Sequence, residues 1–210
     1  MHTNNRKSST TIRLLRHGET DYPRGRYYND VINDPPLNKL GSEQARLWVK
    51  KMREDRHPFS ALYVSPSLRT EETALIATKE LALSVNTIDG LQERSFGSWG
   101  GLTPKEVQAQ FPNEWMAWKD DLIDYVPPGG ESLSAFSKRV NETTVQLVTR
   151  HINRTILIVT HVGPIRALVA AALGIPFDHQ QRLVIKNCSI TEIEFTDRWP
   201  NLHSLSSLPE

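Results

Sequence analysis

Apolar positions along the chain keep two rhythms. Short runs of aliphatic and β-branched residues predict strands at Thr11-Ile-Arg-Leu-Leu15, Ser60-Ala-Leu-Tyr-Val64, Leu83 to Ile88 and Thr155-Ile-Leu-Ile-Val159, then over Leu183 to Ile185 and Ile190 to Phe195. The Thr155 run is apolar without interruption, the pattern of a central strand covered on both faces. Between these runs the spacing turns helical. Asn38 is a good N-cap for a helix presenting Leu40, Leu47, Trp48 and Met52, which Pro58 closes. Pro66 opens a second helix to about Leu81, with Leu68, Ala74, Leu75 and Thr78 available to pack. Thr103 with Glu106 matches a capping box. The clearest helix runs from Ser132 to His151, with Leu133, Phe136, Val140, Leu147 and Val148 at helical spacing. A last one spans Gly163 to Leu173, with Pro164 in its first turn and Gly174 as its stop. Alternating strands and helices predict one α/β layered domain over residues 11–196 with a largely parallel sheet. Residues 1–10 and 197–210 read as tails.

Composition narrows the class. The chain has 210 residues, enough to bury one core. Lys and Arg number 25 against 24 Asp and Glu, a net charge of +1. There is no global field to draw nucleic acid or an anionic membrane, so neither is expected as a partner and any basic site is local. No apolar run approaches the roughly 20 residues of a spanning helix. Met1 to Thr10 is polar and lacks the apolar stretch of a secretory signal. The single cysteine, Cys188, excludes an internal disulfide and a cysteine-based zinc site, and points to a reducing, cytoplasmic setting.

Open α/β sheets place ligands just beyond the carboxyl ends of their strands. Two strands here end in histidine: Leu14-Leu-Arg16-His17-Gly18 and Ile158-Val-Thr160-His161-Val162-Gly163. Each histidine is followed by glycine within two residues, which lets backbone approach a ligand closely. His161 also precedes a helix N-terminus, where free N–H groups favour an anion. Arg16 adds a permanent cation with a fork matched to phosphate oxygens. A pair of structural histidines, or a metal site, would use the same residue types. Against metal, no carboxylate or cysteine accompanies either histidine at ligand spacing. On their own, Arg69 reads equally as a surface partner of Glu72, and Glu93 as a solvated loop carboxylate.

Arg16-His-Gly-Glu-Thr20 resembles the signature of the histidine phosphatases, the superfamily that includes cofactor-dependent phosphoglycerate mutases. Three further segments resemble that family in its order: Ser65-Pro-Ser-Leu-Arg69-Thr-Glu-Glu-Thr-Ala74, Leu91-Gln-Glu93-Arg-Ser-Phe-Gly97-Ser-Trp-Gly-Gly101 and Val159-Thr-His161-Val-Gly-Pro-Ile-Arg-Ala-Leu168. Pro128-Gly-Gly-Glu-Ser132 is another matching piece, and the likeness covers residues 11–196. The resemblance implies a three-layer α/β/α, phosphoglycerate mutase-like domain. It also implies His17 as the nucleophile, forming a phosphohistidine, and Arg16 and Arg69 as a phosphate clamp. His161 would donate to the transferring group, with the amide of Gly163 beside it. Glu93 would protonate the leaving alkoxide and then activate water. Arg94 follows the acid as it does in the mutases, where that arginine grips substrate. No metal or other cofactor is implied.

Two positions depart from the family pattern. An asparagine that often donates to the phosphate is replaced by Pro23, leaving Tyr22, Arg24 or Asn29 to supply that contact. The usual W-E-G is Trp99-Gly100-Gly101, without its carboxylate. The segment from Phe111 to Pro127 is short for a mutase. A phosphomonoester hydrolase acting on a small phosphorylated metabolite is therefore expected. Segments around Trp118 and Phe136 resemble the α-ribazole-phosphate phosphatases of cobalamin assembly. A mutase and a phosphate-binding module without catalysis are the alternatives, and a homodimer is a further expectation. Tyr22, Tyr27, Tyr28, Trp115, Trp118 and Tyr125 fit either a base-stacking surface or the small core of a cap.

Overall fold

The computed structural model describes residues 8–28, 34–54 and 59–209. Its elements are β1 (Ser9–Arg16), α1 (Lys39–Glu54), β2 (Ala61–Val64), α2 (Leu68–Leu81), β3 (Val85–Thr87), α3 (Pro104–Gln110), α4 (Pro112–Asp120), α5 (Leu133–Arg150), β4 (Thr155–Thr160), α6 (Val162–Leu173), β5 (Ile190–Thr196) and β6 (Pro200–Ser207). The strands form one six-stranded sheet in the order β3-β2-β4-β1-β5-β6. The pairs β2–β3, β2–β4 and β1–β4 are parallel. β5 and β6 close one edge antiparallel.

Side-chain alternation divides the interior into two cores. Ile12, Leu14, Ile156 and Ile158 point to one face, where Phe136, Val140 and Leu147 of α5 and Ile165 and Leu168 of α6 cover them. Leu15, Leu62, Val64, Leu157 and Val159 point to the other, against Ala45, Trp48 and Met52 of α1 and Ala74 of α2. This is the expected three-layer domain. Ile156 to Val159 have no exposed surface, so the uninterrupted apolar run is a central strand. Each such aliphatic side chain contributes about 1.5–3 kcal/mol by leaving water. β1 and β4 lie side by side, with Arg16 opposite Thr160. That register brings His17 and His161 out together at the carboxyl ends of two central strands.

Several sequence expectations need correction. Residues 197–210 are not a tail: Pro200–Ser207 is the sixth strand. The turn into it is tied by Thr196 Oγ1, which accepts the amides of Arg198 and Trp199. Pro200 sits at the first strand position, where a missing N–H is tolerated. At the other end, Ser9 and Thr10 already belong to β1, while residues 1–7 lie outside the described ones. Leu183 to Ile185 is not a strand. The carbonyls of Leu183 and Ile185 accept from Arg166 Nε (2.8 Å) and Arg16 Nη1 (2.6 Å) rather than from a neighbouring strand. The third strand is only Val85–Thr87. Leu40 and Leu47 of α1, and Leu68 and Leu75 of α2, are exposed; the buried face of α1 carries Ala45, Trp48, Val49 and Met52, and that of α2 includes Ala74 and Ala77.

Candidate active site

Asn38 Oδ1 accepts the amide of Gly41 (2.8 Å) and so caps α1, as expected. Gly18 lies against this helix start so tightly that a Cβ on it would come within 2.4 Å of the Gly41 carbonyl oxygen. Glycine is required by that approach, which holds the loop after β1 against the start of α1. His17, at the head of the loop, is 3% exposed. Its Nδ1 is 2.7 Å from the Gly18 carbonyl oxygen. A carbonyl only accepts, so Nδ1 carries the proton and Nε2 keeps its lone pair. The Gly18 carbonyl is held in turn by Asn187 Nδ2 at 3.3 Å. Cys188 donates its amide to the His17 carbonyl (3.1 Å). Burial, then the charges of Arg69 and Arg16, holds the His17 imidazole well below the ordinary histidine range.

The two histidine rings lie with centroids 5.3 Å apart. His161 is the N-cap residue of α6 and is wholly buried. Arg69 Nη2 is 3.0 Å from His161 Nδ1, and Ser65 Oγ is 2.8 Å from Nε2. A guanidinium only donates, so Nδ1 is the bare nitrogen and Nε2–H donates to Ser65; contrary to expectation, His161 has no N–H left to donate to a transferring group. Burial first, and Arg69 next, depress the His161 pKa strongly, in keeping with a neutral ring. Arg69 is 1% exposed. It does not pair with Glu72, whose carboxylate accepts the amide of Leu37 (2.7 Å). Besides His161, its partners include Asp34, at 3.1 Å, and the face of Tyr28, 4.7 Å from the guanidinium carbon. The other oxygen of Asp34 accepts the Leu68 amide (2.7 Å), so one carboxylate ties Arg69 to the start of its own helix.

Glu93 reaches the same region from the loop after β3. Its two oxygens accept the amides of Arg94 (2.9 Å) and Gly163 (3.0 Å). A Cβ on Gly163 would come within 1.9 Å of Oε1. The Gly163 amide, expected to meet phosphate, is thus spent on orienting the carboxylate. Arg94 is 6% exposed; its Nε donates to the Glu131 carbonyl (2.9 Å), and burial pulls its pKa down to about 10, still cationic at neutral pH. Arg16 Nε is buried with no hydrogen-bond partner among the described residues, and Glu93 is the leading charge that counters the cost of burying this guanidinium.

Two cavities flank Tyr28 and Arg26. One of about 210 Å³ is lined by Glu93, Arg94, Gly163, Arg166, Gln180 and Phe136, among others. The other, about 590 Å³, is lined by Arg16, Glu19, Tyr22, Pro23, Arg24 and Asn187, among others. Tyr22 and Arg24 thus stand beside Pro23 in reach of that cavity, while Asn29 lies outside the described residues. Trp115, Trp118 and Tyr125 do not line either cavity. They pack around Trp99, which has no exposed surface, at centroid distances of 5.9–6.4 Å. They form a cap's core.

Sequence reasoning did not single out Asp34, Asn187, Arg166 or Gln180, and gave Ser65 no role. Asp34 and Asn187 sit in irregular segments without a motif, and their use depends on folding. Arg166 was legible: it lies one turn beyond Gly163 on α6, the helix that follows β4. Among the described residues, no group of three or more His, Cys, Asp or Glu is placed to hold a metal ion, and no helix is long and apolar enough to cross a membrane.

The arrangement has known counterparts. Residues 12–207 match the family model for the histidine phosphatase superfamily (branch 1). Phosphoserine phosphatase 1 of Hydrogenobacter thermophilus is 31% identical over 186 residues, 88% of this chain and 86% of that protein. Glucosyl-3-phosphoglycerate phosphatase of Mycolicibacterium vanbaalenii is 34% identical over 174 residues, covering 79% and 75% of the two chains. The crystal structure of the α-ribazole phosphatase from Shigella flexneri superposes with a TM-score of 0.82 at 28% identity, covering 94% of this chain and 96% of that one.

Proposed function

Since the chain belongs to the histidine phosphatase superfamily, branch 1, we propose that it is a metal-independent phosphomonoesterase working through a phosphohistidine on a small phosphorylated metabolite. The observation that carries this reading is the 2.7 Å contact between His17 Nδ1 and the Gly18 carbonyl oxygen, which assigns the ring proton to Nδ1 and leaves Nε2 as the nucleophilic nitrogen. In the first step Nε2 attacks phosphorus and the P–O bond to the leaving group breaks. Arg16 and Arg69 hold the equatorial oxygens. Glu93, in its acid form beside the dianion, gives its proton to the departing alkoxide. In the second step Glu93 takes a proton from water, the water oxygen bonds to phosphorus, and the N–P bond returns its electrons to Nε2. Arg69 is shared between His161 and the phosphoryl group, which makes His161 an anchor for the clamp. Ser65, on the far nitrogen, fixes its ring.

The named activities of relatives differ in their substrates. α-Ribazole 5'-phosphate is supported by the structural likeness, and phosphoserine by the sequence likeness. The reducing setting suggested by the lone, buried Cys188 favours a cytoplasmic enzyme. The open edge of β6 is where a second copy would pair in a homodimer.

Hydrolysis of para-nitrophenyl phosphate in excess chelator tests the class; no turnover of any phosphomonoester would leave a binding module. Glu93→Gln tests the acid. Nitrophenolate leaves without a proton, whereas an alkoxide does not. The variant should form phosphoenzyme from the nitrophenyl ester, show a burst and stall, and should be nearly inert toward an alkyl phosphate. Equal losses with both esters and no trapped phosphoenzyme would move the acid elsewhere, with Glu19 next to test.

A further inference from the structure

The turn that leads into β5 wraps the backbone of His17. Cys188 adopts φ +49°, a left-handed conformation that residues other than glycine seldom take, so the surrounding bonds must hold it there. The Lys186 carbonyl accepts from Ser189 Oγ (2.7 Å), and the Lys186 amide donates to Ser206 Oγ of β6 (2.8 Å). Trp48 Nε1 of α1 donates to the Cys188 carbonyl. Closed in this way, the turn meets the end of β1 residue by residue. The Ser189 carbonyl accepts the Arg16 amide (3.1 Å), and the Cys188 amide donates to the His17 carbonyl (3.1 Å). Asn187 Nδ2 lies 3.3 Å from the carbonyls of both His17 and Gly18. Two carbonyl neighbours fix the orientation of the carboxamide, because its oxygen in that place would face two other oxygens. Asn187 also lines the larger cavity beside Arg16. Its two N–H groups match the two carbonyls and its oxygen would repel a phosphoryl group, so it is no phosphate ligand.

We propose that Asn187 is a positioning residue for His17: it braces the Gly18 carbonyl, which keeps the ring proton on Nδ1 and leaves Nε2 bare for attack. The Gly18 carbonyl oxygen has two lone pairs. One takes His17 Nδ1–H and the other Asn187 Nδ2–H. Glycine gives this peptide the widest range of backbone angles, so the second bond is what fixes the direction of the carbonyl. Without the brace the carbonyl turns from the ring. The proton is then free to settle on Nε2, which makes the attacking nitrogen a donor. The left-handed turn at Cys188 sets consecutive residues against the same strand end, Asn187 through its side chain and Cys188 through its amide. Asn187 acts through His17 alone, so its loss falls on the chemical step and not on phosphate binding.

This inference rests on the phosphatase reading, and the experiment separates the two. The full chain is compared with Asn187→Leu, which keeps the bulk and removes the donor, and with Asn187→Asp, which keeps the shape and sets a carboxylate against the two carbonyls. Long-range proton–nitrogen NMR on the protein labelled with ¹⁵N-histidine reads the tautomer directly, the His17 signals being those lost in His17→Asn. The wild type should show Nδ1–H at His17, and both variants should gain the Nε2–H form. Rapid quenching with para-nitrophenyl phosphate then gives the rate of phosphoenzyme formation, which should fall at least tenfold in Asn187→Leu and further in Asn187→Asp. The inhibition constant of inorganic phosphate should stay within about threefold of wild type in Asn187→Leu. A His17 tautomer unchanged in both variants, or a rate loss under tenfold in both, overturns the proposal. So does a phosphate inhibition constant that weakens in Asn187→Leu in step with the rate, since that is the mark of a site distorted as a whole. In each of these cases phosphohistidine in the wild type leaves the phosphatase reading standing. A wild type that forms no phosphohistidine overturns both.

Discussion

His17 and His161 stand at the ends of adjacent parallel strands, both buried, both depressed in pKa by burial and by the same arginines. Their hydrogen bonds differ. His17 has one nitrogen tied to its own loop carbonyl, and no hydrogen bond among the described residues occupies the other. His161 has both nitrogens engaged, one by Arg69 and one by Ser65. Equivalent topology therefore supplies two neutral imidazoles, and in the proposed mechanism their different partners suit one to attack and the other to hold the clamp. A motif that contains a histidine specifies the place; the partner of each ring nitrogen specifies the role.

The comparison breaks most severely if the nucleophile is removed. His17→Asn should lower kcat by at least about 10⁴-fold, whereas Arg69→Ala or Arg16→Ala should cost roughly 100-fold or more in kcat/KM by deleting a charge-assisted contact. Steady-state kinetics on an alkyl phosphate check both. A loss under tenfold for either arginine would make it peripheral, and wild-type rates in His161→Ala would undo the two-strand site. Gly163→Ala sharpens the picture on the acid side. Its Cβ has no room beside Glu93 Oε1, so about a tenfold loss is expected with an alkyl ester and less with the nitrophenyl ester. Equal losses would point to a general distortion of α6.

The smallest effect is in pH. Because His17 and His161 are held below the ordinary value near 6.5, they stay neutral as the solution falls below it, and any acid-side loss of kcat from protonating His17 must set in well under pH 6.5. Stability behaves with the matching sign. Below about pH 6.5 the unfolded chain takes up protons on these two histidines that the native protein does not, so the melting temperature should decline as pH falls. A kcat profile with an acid limb at 6.5 would place a charged, solvated histidine at the site.

Much of this site could be read before any coordinates. Arg16, His17 and His161 stand at strand ends where their residue types suit a phosphate, whereas Arg69 and Glu93 were legible only through the family resemblance of their segments; the α/β class needed only the alternation of strand and helix. What escaped reading is tertiary. Asp34 acts through Arg69 and Asn187 through a carbonyl, so neither has a local pattern. Leu183 to Ile185 has strand composition, but its carbonyls are taken by two arginines from elsewhere in the chain. β6 was missed because its apolar positions, Leu202 and Leu205, are sparse among polar residues, as befits an edge strand. The exposed leucines of α1 and α2 show the same limit: spacing names a face, and neighbours decide which face is buried.

The division of roles between the two histidines can be measured on the phosphoenzyme itself. Rapid acid-free quenching during turnover, followed by peptide mapping and phosphorus NMR, locates the label. The account predicts one phosphoryl group on Nε2 of His17, acid-labile and base-stable, and none on His161. A label on His161, or on Nδ1 of His17, would contradict it.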